Sequence, residues 1–290
     1  MANIAKSDQI INLSNPKAVL PSYLAKAPKV VGNIPIGNPR NRISLKGREF
    51  HIIRSGVEVG VLETKHADVV IVGAVPHISR LYYSTRYSDA EQKAPACYSP
   101  DGIKPANDVQ NPQSSTCATC PQNKIGSAQG GDDMEAKGRA CGFFRRIAVL
   151  LPNDPDHVVY QLDLKSQTLF DKQGDPANNR YGFNEYIRKL ASANNGAGID
   201  PGYVITRITF DPKVSVPKLL FQPIGFIEKE LADVVIQLVG SEIVKNTLDI
   251  SMTTIDFTAE VRDTGNSSEP VRSVKATDDE VAKLIANLEP

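Results

Sequence analysis

All four cysteines of the 290-residue chain, Cys97, Cys117, Cys120 and Cys141, fall within one 45-residue window. Their spacing is C-x19-C-x2-C-x20-C, nearly symmetric about the central Cys117-Ala-Thr-Cys120. Two residues between cysteines let both thiolates turn toward one ion. Four thiolates close a tetrahedral structural site on a single Zn²⁺ and leave no position for water. The surrounding segment needs such a staple: residues 88–141 are rich in Pro, Gly, Ser, Asn, Gln and Asp and poor in aliphatics. That composition cannot bury enough apolar surface to fold unaided, whereas a structural zinc contributes on the order of 10 kcal/mol. Two other readings compete. Two disulfides fit poorly with a start, MANIAKSDQIINLSNPK, that lacks the apolar stretch of a secretory signal. A redox CxxC would be expected beside a βαβ pattern, which is missing.

The segments flanking this window read as short strands. Ile43, Leu45, Phe50 and Ile52 around Lys46-Gly47 predict a hairpin, and Val57, Val59 and Val61 alternate as a strand does. Residues 68–75, 78–87, 146–151, 158–164, 203–210 and 218–226 are further β-prone runs. Helical periodicity appears over 184–195, with Asn184 as the expected cap. It appears again over 228–246, with Ile227, Leu231, Val234, Val235, Leu238 and Ile243 toward the core. A short helix is expected near 278–289. Strands and helices do not alternate as a doubly wound sheet requires. The expected class is β-rich α+β: an OB-fold-like antiparallel barrel with a zinc-stapled insertion and flanking helices. The expected layout is a Pro-rich basic arm (1–40), a core (41–257) interrupted by the insertion (88–146), and an acidic tail (258–290).

Basic and aromatic side chains interleave on the strands that enter and leave the insertion. The first reads Arg80-Leu-Tyr82-Tyr83-Ser-Thr-Arg86-Tyr87 and the second Phe143-Phe144-Arg145-Arg146. Closing the insertion brings the two together. Rings stack on unpaired bases and guanidiniums contact phosphate, which suits a single strand of nucleic acid. The candidate contacts are Arg80, Tyr82, Tyr83, Arg86, Tyr87, Phe144, Arg145 and Arg146, with Arg42 and Lys46 from the first hairpin. Alternation along a strand sends half of such residues into the core.

Formal charge is balanced, 33 Lys+Arg against 33 Asp+Glu. This excludes a uniformly basic binder and a strongly acidic mimic, but the balance is uneven along the chain. Residues 1–50 carry +6, residues 258–290 carry −3, and the interior the remaining −3. Binding on such a chain would depend on stacking and a local basic groove. An enzyme is disfavoured: GxxxxGK[ST], HExxH, GxSxG and GxGxxG are all absent, and a four-thiolate zinc has no open position. A zinc-dependent nuclease is the least favoured alternative.

The stretch from Cys97 through Cys141 also resembles the zinc-knuckle region of phage-encoded single-stranded-DNA-binding proteins. These include proteins of N4-like phages that engage the host RNA polymerase. The shared features are Cys97, the turn Ser99-Pro-Asp-Gly102, Cys117-x2-Cys120-Pro-x-Asn123, Gly126-Ser127, and Cys141 followed by Arg145. They cover about a quarter of the chain. The resemblance implies an OB-like core and cooperative binding of single strands, DNA or RNA, in replication, recombination or transcription. It also implies RNA polymerase or replication proteins as partners, self-association, and the cytoplasm of a bacterial host; no membrane is expected, because no apolar run approaches the roughly 20 residues that span a bilayer. A transcription adaptor docking on RNA polymerase is the alternative function.

Overall fold

The computed structural model describes residues 40–84, 94–128, 138–214, 216–252 and 254–255. The acidic tail, its expected helix and all of the basic arm except Arg40 lie outside these residues.

Among the described residues ten strands follow in order: β1 (Arg42–Lys46), β2 (Glu49–Arg54), β3 (Val57–Val61), β4 (His66–Ala74), β5 (Ser79–Tyr82), β6 (Cys97–Ser99), β7 (Cys141–Leu150), β8 (Val159–Lys165), β9 (Val204–Phe210) and β10 (Leu219–Phe226). Four helices accompany them: α1 (Ser166–Leu169), α2 (Phe183–Ala191), α3 (Lys229–Leu238) and α4 (Glu242–Leu248). The class is β-rich α+β. Eight strands run side by side as β10-β9-β4-β7-β8-β1-β2-β3, antiparallel except where β1 meets β8 in parallel. No described helix is long and apolar enough to cross a membrane.

The sheet curls. Strands β9 and β2 stand five steps apart in this order, which would separate them by about 24 Å in a flat sheet. Yet the rings of Phe50 on β2 and Phe210 on β9 lie 4.7 Å apart, centroid to centroid. Arg48, in the β1–β2 turn, donates to the carbonyl of Asp211 at 2.7 Å. The result is a half-barrel whose inner face is filled by Ile43, Phe50, Val69, Ile147, Leu162 and Ile208, together with Phe183, Tyr186 and Leu190 of α2. On its outer face Val70, Val72, Ala148 and Leu150 pack beneath Val235 of α3 and Val244 of α4. Strands β4 and β7 are thus buried on both sides, which explains their nearly continuous runs of aliphatic residues.

Strand β7 has two neighbours on one edge. Its C-terminal half pairs with β4 (Val70 with Leu150, Ala74 with Ile147), and its N-terminal half with β5 (Ser79 with Phe144, Tyr82 with Cys141). Strand β8 occupies the other edge. β7 begins at Cys141, five residues before the expected start at Arg146, because β5 supplies partners for the extra length.

The single helix expected over 228–246 is two. Gly240, at φ +74°, and Ser241, whose hydroxyl accepts from the Val244 amide at 3.3 Å, end α3 and start α4. The restart shifts the helical phase, so Val244 is buried and Ile243 is exposed. Helix α2 begins at Phe183 with Gly182, not Asn184, in the capping position.

Candidate functional site

The sheet itself sets the outer cysteines. Tyr82 on β5 lies opposite Cys97 on β6 and opposite Cys141 on β7. Directly opposed residues share a face, so Cys97, Tyr82 and Cys141 form one row. On β7, Cys141, Phe143 and Arg145 continue in register to Ile147 and Val149, which line the half-barrel interior. The row therefore extends the inner face past the end of the half-barrel.

The inner cysteines are presented by a loop. Gly102, at φ +71°, turns the chain where a Cβ would stand 2.3 Å from the Ile78 carbonyl. The Asp101 carboxylate accepts from the Ser99 hydroxyl (2.9 Å) and the Ile103 amide (2.8 Å). The Ile103 carbonyl then accepts from the Cys117 amide at 2.8 Å. Beyond Cys120, Pro121–Asn123 form a single 3-10 turn. The buried Asn123 donates from its amide to the Cys117 carbonyl (2.8 Å) and from its backbone to Cys120 (3.0 Å). Its side-chain oxygen accepts from Arg80 and from Arg139, the latter at 3.0 Å. Asn123 thus locks Cys117 and Cys120 into one turn and ties that turn to β5.

All four cysteines line one cavity of about 20 Å³, beside Arg80 and Tyr82. None is bridged; Cys117, Cys120 and Cys141 are buried and Cys97 half-buried. Burial, reinforced by the neighbouring thiols, pushes Cys141 up to about 11, against a smaller lowering by Arg80. Cys97 is raised, first by burial. Among the described residues, no group of three or more His, Cys, Asp or Glu side chains is arranged to hold a metal ion as it stands. Four sulfur donors lining one cavity are the donor chemistry that a soft or borderline ion such as zinc takes.

Among the expected nucleic-acid contacts, Arg80, Tyr82 and Arg145 share the inner-face row. Two expectations are corrected. Phe144 is 2% exposed and packs with Leu81, Tyr98 and Ile250 beneath the insertion, because β7 alternation turns it away from Phe143. Arg146 is fully buried. Its guanidinium pairs with Asp163 at 2.8 and 3.0 Å and donates to the Thr254 hydroxyl and carbonyl, each at 3.0 Å. Tyr83 is half-buried against the same cluster as Phe144. Arg42 and Lys46 alternate with the inward Ile43 and Leu45, so they lie on the outer face of β1, where Lys46 meets Glu58 at 3.4 Å. Arg86 and Tyr87 lie outside the described residues.

Three residues absent from the expected set join the row. Phe143 stacks under the Arg80 guanidinium, 4.4 Å from ring centroid to Cζ, and Arg139 lies 5.9 Å from the same ring. Phe170, just after α1, meets Phe143 edge-on at 5.8 Å and is 47% exposed. Phe143 was accessible from its even spacing with Cys141 and Arg145. Phe170 had no local signal, since only the α1 turn brings it to β7.

Comparison with known proteins finds no matching family model, no matching curated protein and no matching solved structure.

Proposed function

We propose that the chain is a non-enzymatic single-stranded-DNA-binding protein, in which the curled sheet serves as an OB-fold-like platform and zinc staples the insertion. Cys97, Cys117, Cys120 and Cys141 would hold the ion, whose part is to fix the loop against β5–β7. The observation that carries the reading is the inner-face row beside the cysteine cavity. There Tyr82, Phe143 and Phe170 alternate with Arg80, Arg139 and Arg145. The guanidinium of Arg139 is spent on neutral oxygens of Asn123, so its positive charge stays available to phosphate, while Arg80 faces the thiol cavity. Such a protein would act in phage replication, recombination or transcription in the cytoplasm of a bacterial host.

A gel-shift series tests the reading. Oligo(dT) should bind more tightly than duplex of equal length, and affinity should fall as salt rises; equal affinity for duplex would reject it. Freshly purified protein should hold one zinc equivalent, and a chelator should weaken binding together with protection of residues 94–128. Protein that binds single strands without metal would remove the zinc and leave the binding.

A second reading rests on one separate observation. Ile103 and Ile125 are 65% and 75% exposed on the insertion, large apolar residues in a position to meet a protein surface such as RNA polymerase. Failure of immobilised protein to retain polymerase would dismiss that adaptor role.

A further inference from the structure

We propose that Phe170 and Arg145 form a base-and-phosphate subsite on single-stranded DNA, with Phe143 as its floor. This rests on the single-strand-binding reading above and assigns two residues to it. Phe170 follows the one-turn helix α1 and is half exposed, although the neighbouring Leu169 is fully buried. Its ring contacts Phe143 edge-on at 5.8 Å, interplanar angle 84°. The contact holds the ring in place while nearly half of the residue stays open to solvent. A ring held in this way suits stacking on an unpaired base, because less of its freedom is lost on binding.

Arg145 lies two residues from Phe143 on the same face of β7. It is half-buried, and its Nε is buried with no hydrogen-bond partner. Burial lowers its pKa, and among the described residues no carboxylate acts to offset it. A guanidinium in this state is costly unless an anion meets it. Arg80 and Arg139 add two further positive charges over the Phe143 ring. Two rings in edge contact among three guanidiniums complement a base with its flanking phosphates, and a single strand supplies both.

The chain contains no tryptophan, so Phe170→Trp places a lone indole at the subsite. Its fluorescence should be quenched on adding oligo(dT). Phe170→Leu keeps the apolar body and removes the ring; its affinity for oligo(dT) should fall about 5-fold or more, with the melting temperature unchanged. Arg145→Gln should lower the salt slope of binding by about one. If wild-type protein binds single strands and either Phe170→Leu or Arg145→Gln binds with wild-type affinity and salt slope, the subsite is wrong and the general reading stands. If wild-type protein does not bind single strands, both are wrong.

Discussion

Arg145 and Arg146 are adjacent on β7 and have opposite environments. Alternation sends Arg145 to the inner face and Arg146 to the outer one, where the sheet and the segment following α4 enclose it completely. A buried guanidinium is tolerable when each side of its fork finds an acceptor. Asp163 supplies two, and residues 249 and 254 supply the rest. Arg146 therefore fastens the chain after α4 to the back of β7. Arg146→Met should destabilise the fold by about 3 kcal/mol, the cost of stranding one partner of a buried pair, read as a shift in the denaturant midpoint. Arg146→Met combined with Asp163→Leu should recover part of that loss. Single-strand affinity of the folded single variant should stay near wild type, since Arg146 does not reach the surface.

At the level of elements, an ion triad joins three connections around the half-barrel. Lys218, leading into β10, meets Asp171 after α1 at 2.7 Å and Asp211 after β9 at 2.9 Å. Hydrogen bonds from Lys218 and from backbone amides outweigh desolvation and hold both carboxyls below their ordinary value, while Lys218 is raised. For the carboxylates, the stabilisation is present above the unfolded value near 4 and is lost as pH falls through their lower folded values. For Lys218 it is present below the unfolded value near 10 and is lost as pH rises through the folded one. Lys218→Met should cost about 1.5–3 kcal/mol at pH 7, the range for hydrogen bonds to charged groups. The deficit should narrow in melts run toward pH 4, as the stranded carboxyls take up protons.

Elements are also where sequence reading is strongest. The hairpin at Lys46-Gly47 and the runs that became β3, β4, β8, β9 and β10 were legible because period-two alternation and turn residues are local signals. The break in the helix before α4 was less visible, since Gly240 and Ser241 interrupt an apolar period that continues across them. Within the candidate site, the four cysteines and the Arg80–Tyr82 strand were readable from spacing. The locking role of Asn123 and the arrival of Phe170 were not, because both depend on residues brought together from separate loops.

Across the whole molecule, the curl is secured at one seam. Phe50 and Phe210 pack ring against ring at a tilt, and Arg48 reaches across to the β9–β10 connection. Phe50 is fully buried, so Phe50→Ala should cost about 3–5 kcal/mol. Amide exchange should rise on both sides of the seam, in β1–β2 and in β9–β10; a rise confined to β2 would show that the seam does not hold the curl.

The two neighbours on one edge of β7 also share a single loop closure. Only four residues separate β4 from β5, so whichever of them pairs with β7 first delivers the other to the rest of that edge. The segment closed is about 60 to 70 residues long in either order, and it carries all four cysteines. Blocking the thiols should loosen the loop, read as faster amide exchange over residues 94–128, and leave the β4–β7 pairing protected, so that one strand serves both as a wall of the half-barrel and as the hem to which the insertion is sewn.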